Sequence, residues 1–337
     1  MAPHVPQASD SPLASAPVVA EVVRNDFVES VHHGVVALTA PDGSLELALG
    51  PVDAPILPRS SLKPLQAIAM LRAGAPLEGE LLALACASHS GEARHLDGAR
   101  RILAAVGLDE SALRNTPDLP LDEDERRRWV REGNPATSLA QNCSGKHSGM
   151  LAACVAAGWD TASYLDPGHP LQRLVLEVVE ELTGEPVTVT TVDGCGAPAL
   201  GVSSTGLARA FGRIAAADAS TEAGRVAGAI RSHPEFLGGT GRDVTELIGA
   251  VPGLIAKDGA ESVYAVGLAD GRGLSVKITD GGERARVVVA TAALRRAGVH
   301  ELGEGAAETM DALDGRAVVR GHGERVGGVR AVLPEVG

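Results

Sequence analysis

Between Val18 and Gly50 the chain carries the short apolar runs of extended backbone. Val35–Leu38 and Leu45–Leu49 flank Pro41-Asp42-Gly43, a strong turn signal, so this stretch predicts a β-hairpin. At Pro64 the period changes. Leu65, Ile68, Ala69 and Arg72 follow helical spacing until Gly74 and Pro76 end the run. Pro64 itself fits only a first turn, where backbone donors have no intrahelical partner. Apolar residues three or four apart predict further helices over 80–87, 92–106, 148–157, 171–182 and 221–232. Asp122–Arg128 is densely charged and reads as a solvated surface segment. Val187–Val192 is a short β-rich run ending at Asp193-Gly194. Ser262–Leu268 and Leu274–Thr279 bracket Asp270-Gly271-Arg272-Gly273, a second hairpin. A helix over 283–297 and two short strands close the chain.

Strands at both ends around a helical middle predict an α+β fold. An antiparallel sheet is formed by N- and C-terminal strands, with helices packed on it. The helical middle, about residues 65–250, would be inserted between the sheet strands. No internal repeat or linker divides residues 21–337, which are expected to form a single domain. Pro, Ser and Ala dominate residues 1–20, which read as a mobile arm without the basic start or apolar block of a secretory signal.

Composition changes this picture in three places. Hydrophobic residues make up 45 %, yet the chain holds only two Trp, two Tyr and three Phe, so Ala, Leu and Val must fill the interior. A formal charge of −13 argues against a nucleic-acid partner, which would require a basic surface. No apolar run approaches the ~20 residues that cross a bilayer. The four cysteines, with no export signal, are expected to be reduced thiols of a cytoplasmic protein.

Candidate chemistry begins at Arg59-Ser60-Ser61-Leu62-Lys63. Ser60 and Lys63 are three apart and share a face on one helical turn. A serine hydroxyl becomes a useful nucleophile when a neighbouring base takes its proton, and a desolvated lysine can be that base. Such a lysine must fall from ~10.4 to roughly 7–8, about 4 kcal/mol of differential stabilisation. A second cation could assist, and Lys257, just before the C-terminal hairpin, is the candidate. By spacing alone the same residues serve equally as a helix-capping serine and solvated lysines. Ser88, in Cys86-Ala87-Ser88-His89-Ser90, is a helix cap or a proton-relaying hydroxyl. Cys143 and Lys146 are one turn apart and Cys195 lies about fifty residues on; their thiols are soft donors suited to zinc, or simply buried free cysteines. His147 and Asp193 are candidates for a further ligand or a supporting partner.

Taken in order, these segments resemble the L-asparaginase II family, of the class 3 type. The likeness runs from Val28-Glu29, His32 and Gly34 through Arg59-Ser60, Lys63-Pro64 and Cys86-Ala87-Ser88-His89-Ser90. It continues with Asn142-Cys143-Ser144-Gly145-Lys146-His147, His169-Pro170, Gln172, Asp193-Gly194-Cys195, His233-Pro234 and Lys257 with Gly259-Ala260. The resemblance implies a fold like serine β-lactamases and the related glutaminases, and hydrolysis of L-asparagine to L-aspartate and ammonia. It implies Ser60 as nucleophile with Lys63 as its base, and Ser88 with Lys257 as a second Ser–Lys pair. Arg59 and Asp193 would meet the substrate. Cys143, Lys146 and Cys195 would hold Zn2+, and the protein would be a homodimer. A glutaminase or another serine amidohydrolase is the nearest alternative; a zinc-stabilised binding protein without turnover is a remoter one.

Overall fold

The computed structural model describes residues 11–303 and 305–334. Eleven strands and twelve α-helices are present among them. The N-terminal strands are β1 (Val18–Arg24), β2 (Phe27–Thr39) and β3 (Leu45–Leu49), with β4 (Pro55–Ile56) after them. Then come α1 (Lys63–Arg72), α2 (Gly79–Ala85), α3 (Ala93–Ala105), α4 (Glu123–Arg131), α5 (Ser144–Ala157) and α6 (Pro170–Thr183). Next are β5 (Val189–Val192), β6 (Pro198–Ser203), α7 (Ser204–Ala215), α8 (Glu222–Ser232), α9 (Pro234–Leu237) and α10 (Asp243–Ala250). The chain ends with β7 (Ile255–Gly259), β8 (Val263–Gly267), β9 (Gly273–Ile278), α11 (Arg286–Arg296), α12 (Ala306–Asp314), β10 (Val318–Gly321) and β11 (Glu324–Ala331).

Both ends of the chain meet in one antiparallel sheet, ordered β10-β11-β1-β2-β9-β8-β7, with β3 also paired to β2. Ala20 lies opposite Ala331, and Gly34 to Thr39 run against Ile278 to Gly273. Strand β2 is long enough to bridge two halves: its first half pairs β1, its second half β3 and β9. Strands β7, β8 and β9 are buried at every position. Strands covered on both faces lose the alternation of a half-exposed sheet. Helix α7 packs on β2, β8 and β9, and α11 packs on β1, β8, β9 and β11. The α7 contact is close because Gly273 lies under the helix: a Cβ there would stand 1.8 Å from Ala208 O.

The helical middle also holds a small sheet, β4-β6-β5, which the sequence pattern did not separate from its surroundings except at β5. Aliphatic side chains fill the interior as the composition requires, with Phe211, Tyr164 and Tyr264 the large buried aromatics. The expected arm is shorter than residues 1–20. Val18, Val19 and Ala20 already belong to β1, because they pair with β2 and bury two apolar side chains, and Ala16 is buried too. Residues 1–10 lie outside the described residues. Asp122–Arg128 is a helix, α4, and it is solvated as expected, with no buried residue.

Candidate active site

The turn before α1 is where backbone and chemistry meet. Arg59–Leu62 form one 3₁₀ turn, and Arg59 adopts φ +53°, a left-handed conformation that a non-glycine residue holds only when its surroundings enforce it. Its guanidinium reaches Asp193 Oδ1 from Nε at 2.8 Å and from Nη2 at 2.5 Å, which ties the turn to the loop after β5. Although burial works against it, the bond from Arg59 and the charge of Lys146 hold the Asp193 carboxyl below its usual range. The turn also docks on β7. Ser61 is buried and donates its hydroxyl to Lys257 O at 3.1 Å. Gly259 permits this approach, since a Cβ there would stand 2.3 Å from Pro58 O and 2.8 Å from Ser61 Oγ. Ser61 is thereby occupied in structure, while Ser60 lines an open cavity.

Lys63 starts α1 with its amine fully inside. Nζ lies 2.5 Å from Ala87 O, 3.0 Å from Ser88 Oγ and 3.2 Å from Cys143 Sγ. Among the described residues no hydrogen bond joins it to Ser60 Oγ, so the expected Ser60–Lys63 contact is not made here. A buried amine needs strong acceptors, and the carbonyl just beyond the end of α2 supplies one. Lys257, on β7, is likewise buried and bonds its neighbour Asp258, through the backbone oxygen at 2.8 Å and through the carboxylate. The expected Ser88–Lys257 hydrogen bond is also absent among the described residues, because a carboxylate outcompetes a hydroxyl for an ammonium. Ser88 pairs with Lys63 instead. Burial first, then the charge of Lys63, brings Lys257 down to about 8, against the opposing pull of Asp258.

Cys143, Cys195 and Ala197 form a small buried cluster beside this lysine. The Cys143 thiol is held well below its ordinary range by its hydrogen bond with Cys195, and by Lys63 and Lys146 against burial. Lys146 Nζ stands 3.0 Å from Cys195 Sγ. Burial opposes its charge, yet the charges of Cys195 and Cys143 outweigh that and raise it. His147 bonds Tyr164 through Nδ1 at 2.8 Å, and its buried Nε2 has no partner. Burial and the charge of Lys146 lower it to about 4, so the ring is neutral at physiological pH.

These groups open on a single cavity of about 610 Å³, whose wall includes Arg59, Ser60, Ser88, Cys143, Asp193 and Cys195. The fold brings these six residues together from four separate segments. Residues 20–331 match the family described as L-asparaginase II. The chain belongs to the L-asparaginase II family. No curated protein matches it. Among solved structures it is similar to Mglu in its native form, at 15 % identity over 85 % of this chain and 63 % of that one, TM-score 0.46. The chain thus spans less than two thirds of that Mglu chain. It is also similar to a β-lactamase, Mb2281c, from Mycobacterium bovis, at 14 % identity over 78 % of this chain and 94 % of that one, TM-score 0.44. A third similar structure is EstCE1, a hydrolase with promiscuous acyltransferase activity, at 12 % identity over 74 % and 89 %, TM-score 0.39.

The cavity lining also includes residues that spacing did not single out. Arg242, Asp243, Asp258 and Arg286 line the same cavity. Arg242 Nη2 donates to Asp258 Oδ2 at 2.8 Å and Nη1 reaches Ser88 O at 3.4 Å. Arg286 Nη2 donates to Asp243 Oδ2 at 3.1 Å and its guanidinium lies 5.6 Å from the Tyr264 ring centroid. Burial opposes ionisation of Asp258, but Lys257, Arg242 and Arg286 hold it far below the usual carboxylate range. The glycine-rich run Gly238-Gly239-Thr240-Gly241 before Arg242 was the available signal, since it brings a helix start close to other backbone.

Proposed function

We propose that this member of the L-asparaginase II family hydrolyses L-asparagine to L-aspartate and ammonia through a serine acyl-enzyme. The observation that carries the reading is the cavity, whose lining holds Ser60 on its constrained turn together with Ser88, the partner of Lys63, and with Arg59 and Asp193. In this mechanism Ser60 Oγ attacks the side-chain amide carbon. Its proton passes to Lys63, with the Ser88 hydroxyl, 3.0 Å from Nζ, as the link between them. The tetrahedral intermediate expels ammonia, which receives a proton from the same network. Water then attacks the ester and releases aspartate. The charge of Lys63 is one of the causes that lower Lys257.

A specific observation favours a second reading of the nucleophile. Ser88, rather than Ser60, is in direct contact with Lys63, so Ser88 could attack and Ser60 position the substrate. The overall reaction is the same.

Zinc is part of the proposal. Two sulfurs and an amine converge in one buried cluster, and Cys143 already favours the thiolate that a metal requires. Among the described residues no group of three His, Cys, Asp or Glu could hold an ion, and a site of Cys143, Lys146 and Cys195 completes its set with a lysine that the two sulfurs hold protonated, so zinc would have to displace its proton. When bound, the ion would supply positive charge for placing a substrate group. Among the described residues no helix is long and apolar enough to cross a membrane. A cytoplasmic homodimer completes the proposal, supported by the family resemblance.

Ammonia release with L-asparagine, L-glutamine and a β-lactam as parallel substrates tests the reading. Turnover of asparagine well above the other two is expected. Preference for glutamine makes the enzyme a glutaminase, and no turnover of any of them leaves a zinc-stabilised binding protein.

A further inference from the structure

Around Arg242 the charged groups are mostly committed to one another. Lys257 is committed to Asp258 and has no exposed side-chain surface. Arg286 is committed to Asp243, with Glu283 at 3.6 Å, and its side chain is 7 % exposed. Arg242 differs. Its side chain is 21 % exposed and lines the cavity; it gives one good bond to Asp258 and one long contact to Ser88 O, leaving its remaining donors uncommitted. It also sits as the N-cap of α10, so the first-turn amides of that helix begin beside it, where partial positive charge accumulates. The excursion that carries α4 contributes Asp118, Asp122 and Glu123 to the same cavity lining.

A cavity lined by both a partly open guanidinium and carboxylates matches a zwitterion. We infer that Arg242 anchors the free α-carboxylate of the substrate, with the acidic rim taking its α-ammonium, so that the site selects free amino-acid amides over amides lacking that carboxylate. The inference rests on the asparaginase reading and deepens it. A guanidinium binds a carboxylate through paired charge-assisted hydrogen bonds, which a point charge or an apolar side chain does not reproduce. The contact of Arg242 with the Ser88 carbonyl places that anchor next to the Lys63–Ser88 pair. In asparagine the carboxylate and the scissile carbon are separated by two carbons. Anchoring one therefore orients the other.

The test uses substrate analogues against variants of the full chain. L-Asparagine is compared with 3-aminopropanamide, the same molecule without its α-carboxylate, and with succinamic acid, which lacks the α-ammonium. The wild-type protein is expected to favour asparagine over 3-aminopropanamide by about 100-fold or more in kcat/KM. Arg242→Met should lower asparagine and succinamic acid by about that factor and 3-aminopropanamide far less, closing the gap. Arg242→Lys should recover part of it. An equal fall on all three substrates, with melting temperature unchanged, would show that Arg242 only holds Asp258 and Lys257 and would overturn the inference. Equal wild-type rates on asparagine and 3-aminopropanamide would do the same. A wild-type protein that releases no ammonia from asparagine would instead remove the asparaginase reading itself.

Discussion

The cavity has two unlike walls, and each contains a fully buried lysine. On the α5 side, Lys63 faces a carbonyl, a hydroxyl and a thiol. On the β7 side, Lys257 faces the carboxylate of Asp258, which Arg242 shares. The first environment offers a reactive hydroxyl and soft sulfurs; the second is a saturated ion-pair network. Residue type alone does not assign a role, since the same amine becomes a proton carrier beside serine and an electrostatic support beside aspartate. The partition also differs from the two separate Ser–Lys pairs that the resemblance implied, because Ser88 sits with Lys63.

Removing either lysine gives the largest effect expected of this contrast. Lys63→Met and Lys257→Met should each lower kcat by about 10³-fold or more, and the double variant should fall little further, because both act on one coupled proton network. The pH profile separates them. Lys257 has been brought down to about 8 from an ordinary value of 10.5, so it is protonated below 8 and loses its proton as pH rises through that value. The rate should therefore climb from pH 6 to 9 with a midpoint near 8, and this limb should vanish in Lys257→Met. An unaltered profile in that variant would assign the limb to another group.

The cysteine wall sharpens the comparison in the opposite direction. If zinc is bound as proposed, elemental analysis should find about one ion per chain in the wild-type protein and none in Cys143→Ser or Cys195→Ser. Substrate affinity should weaken about 10- to 100-fold with a smaller change in maximal rate, since serine and lysine carry the covalent steps. Metal content unchanged in both variants would move the ion elsewhere.

The smallest expected effect concerns how the walls are held together. Gly259→Ala places a methyl 2.3 Å from Pro58 O and against Ser61 Oγ, so β7 and the Ser60 turn must part. Overpacking of this kind costs about 1–3 kcal/mol. Thermal melting should fall accordingly, and activity should drop more than melting explains because the turn carries Ser60.

The fold was readable where the period was clean. The two hairpins at 35–49 and 263–278 and the helices at 63–72, 93–105 and 170–183 followed directly from turn residues and apolar spacing. Helix α7 was not anticipated, although Ser203 caps it through Gly206 N. Ten of its residues are buried, and the signal was present: Leu207, Ala210, Phe211 and Ile214 recur three or four apart, with Arg209 and Arg213 together on another face. Helix α10 and the Arg242–Asp258–Arg286 wall escaped for another reason. Their meaning lies in contacts between segments 243, 258 and 286, which the sheet topology creates and no local pattern encodes. Ser60, Ser88 and Cys143 were legible as motifs, but which lysine each would meet was not, because that depends on how deeply α1 and β7 are packed.

The central claim is that Ser60, held on the 3₁₀ turn beside the left-handed Arg59 and without a side-chain hydrogen bond among the described residues, is the nucleophile. A diazoketone analogue of asparagine alkylates the attacking hydroxyl, losing N2 and leaving a ketomethyl ether, and tryptic cleavage at Arg59, Arg72 and Arg94 separates Ser60 from Ser88. Mass spectrometry should find the adduct on the 60–72 peptide, and Ser60→Ala should lose about 10⁴- to 10⁶-fold in kcat while keeping its melting temperature. An adduct on the 73–94 peptide, with substantial turnover surviving in Ser60→Ala, would contradict the account and make Ser88 the nucleophile.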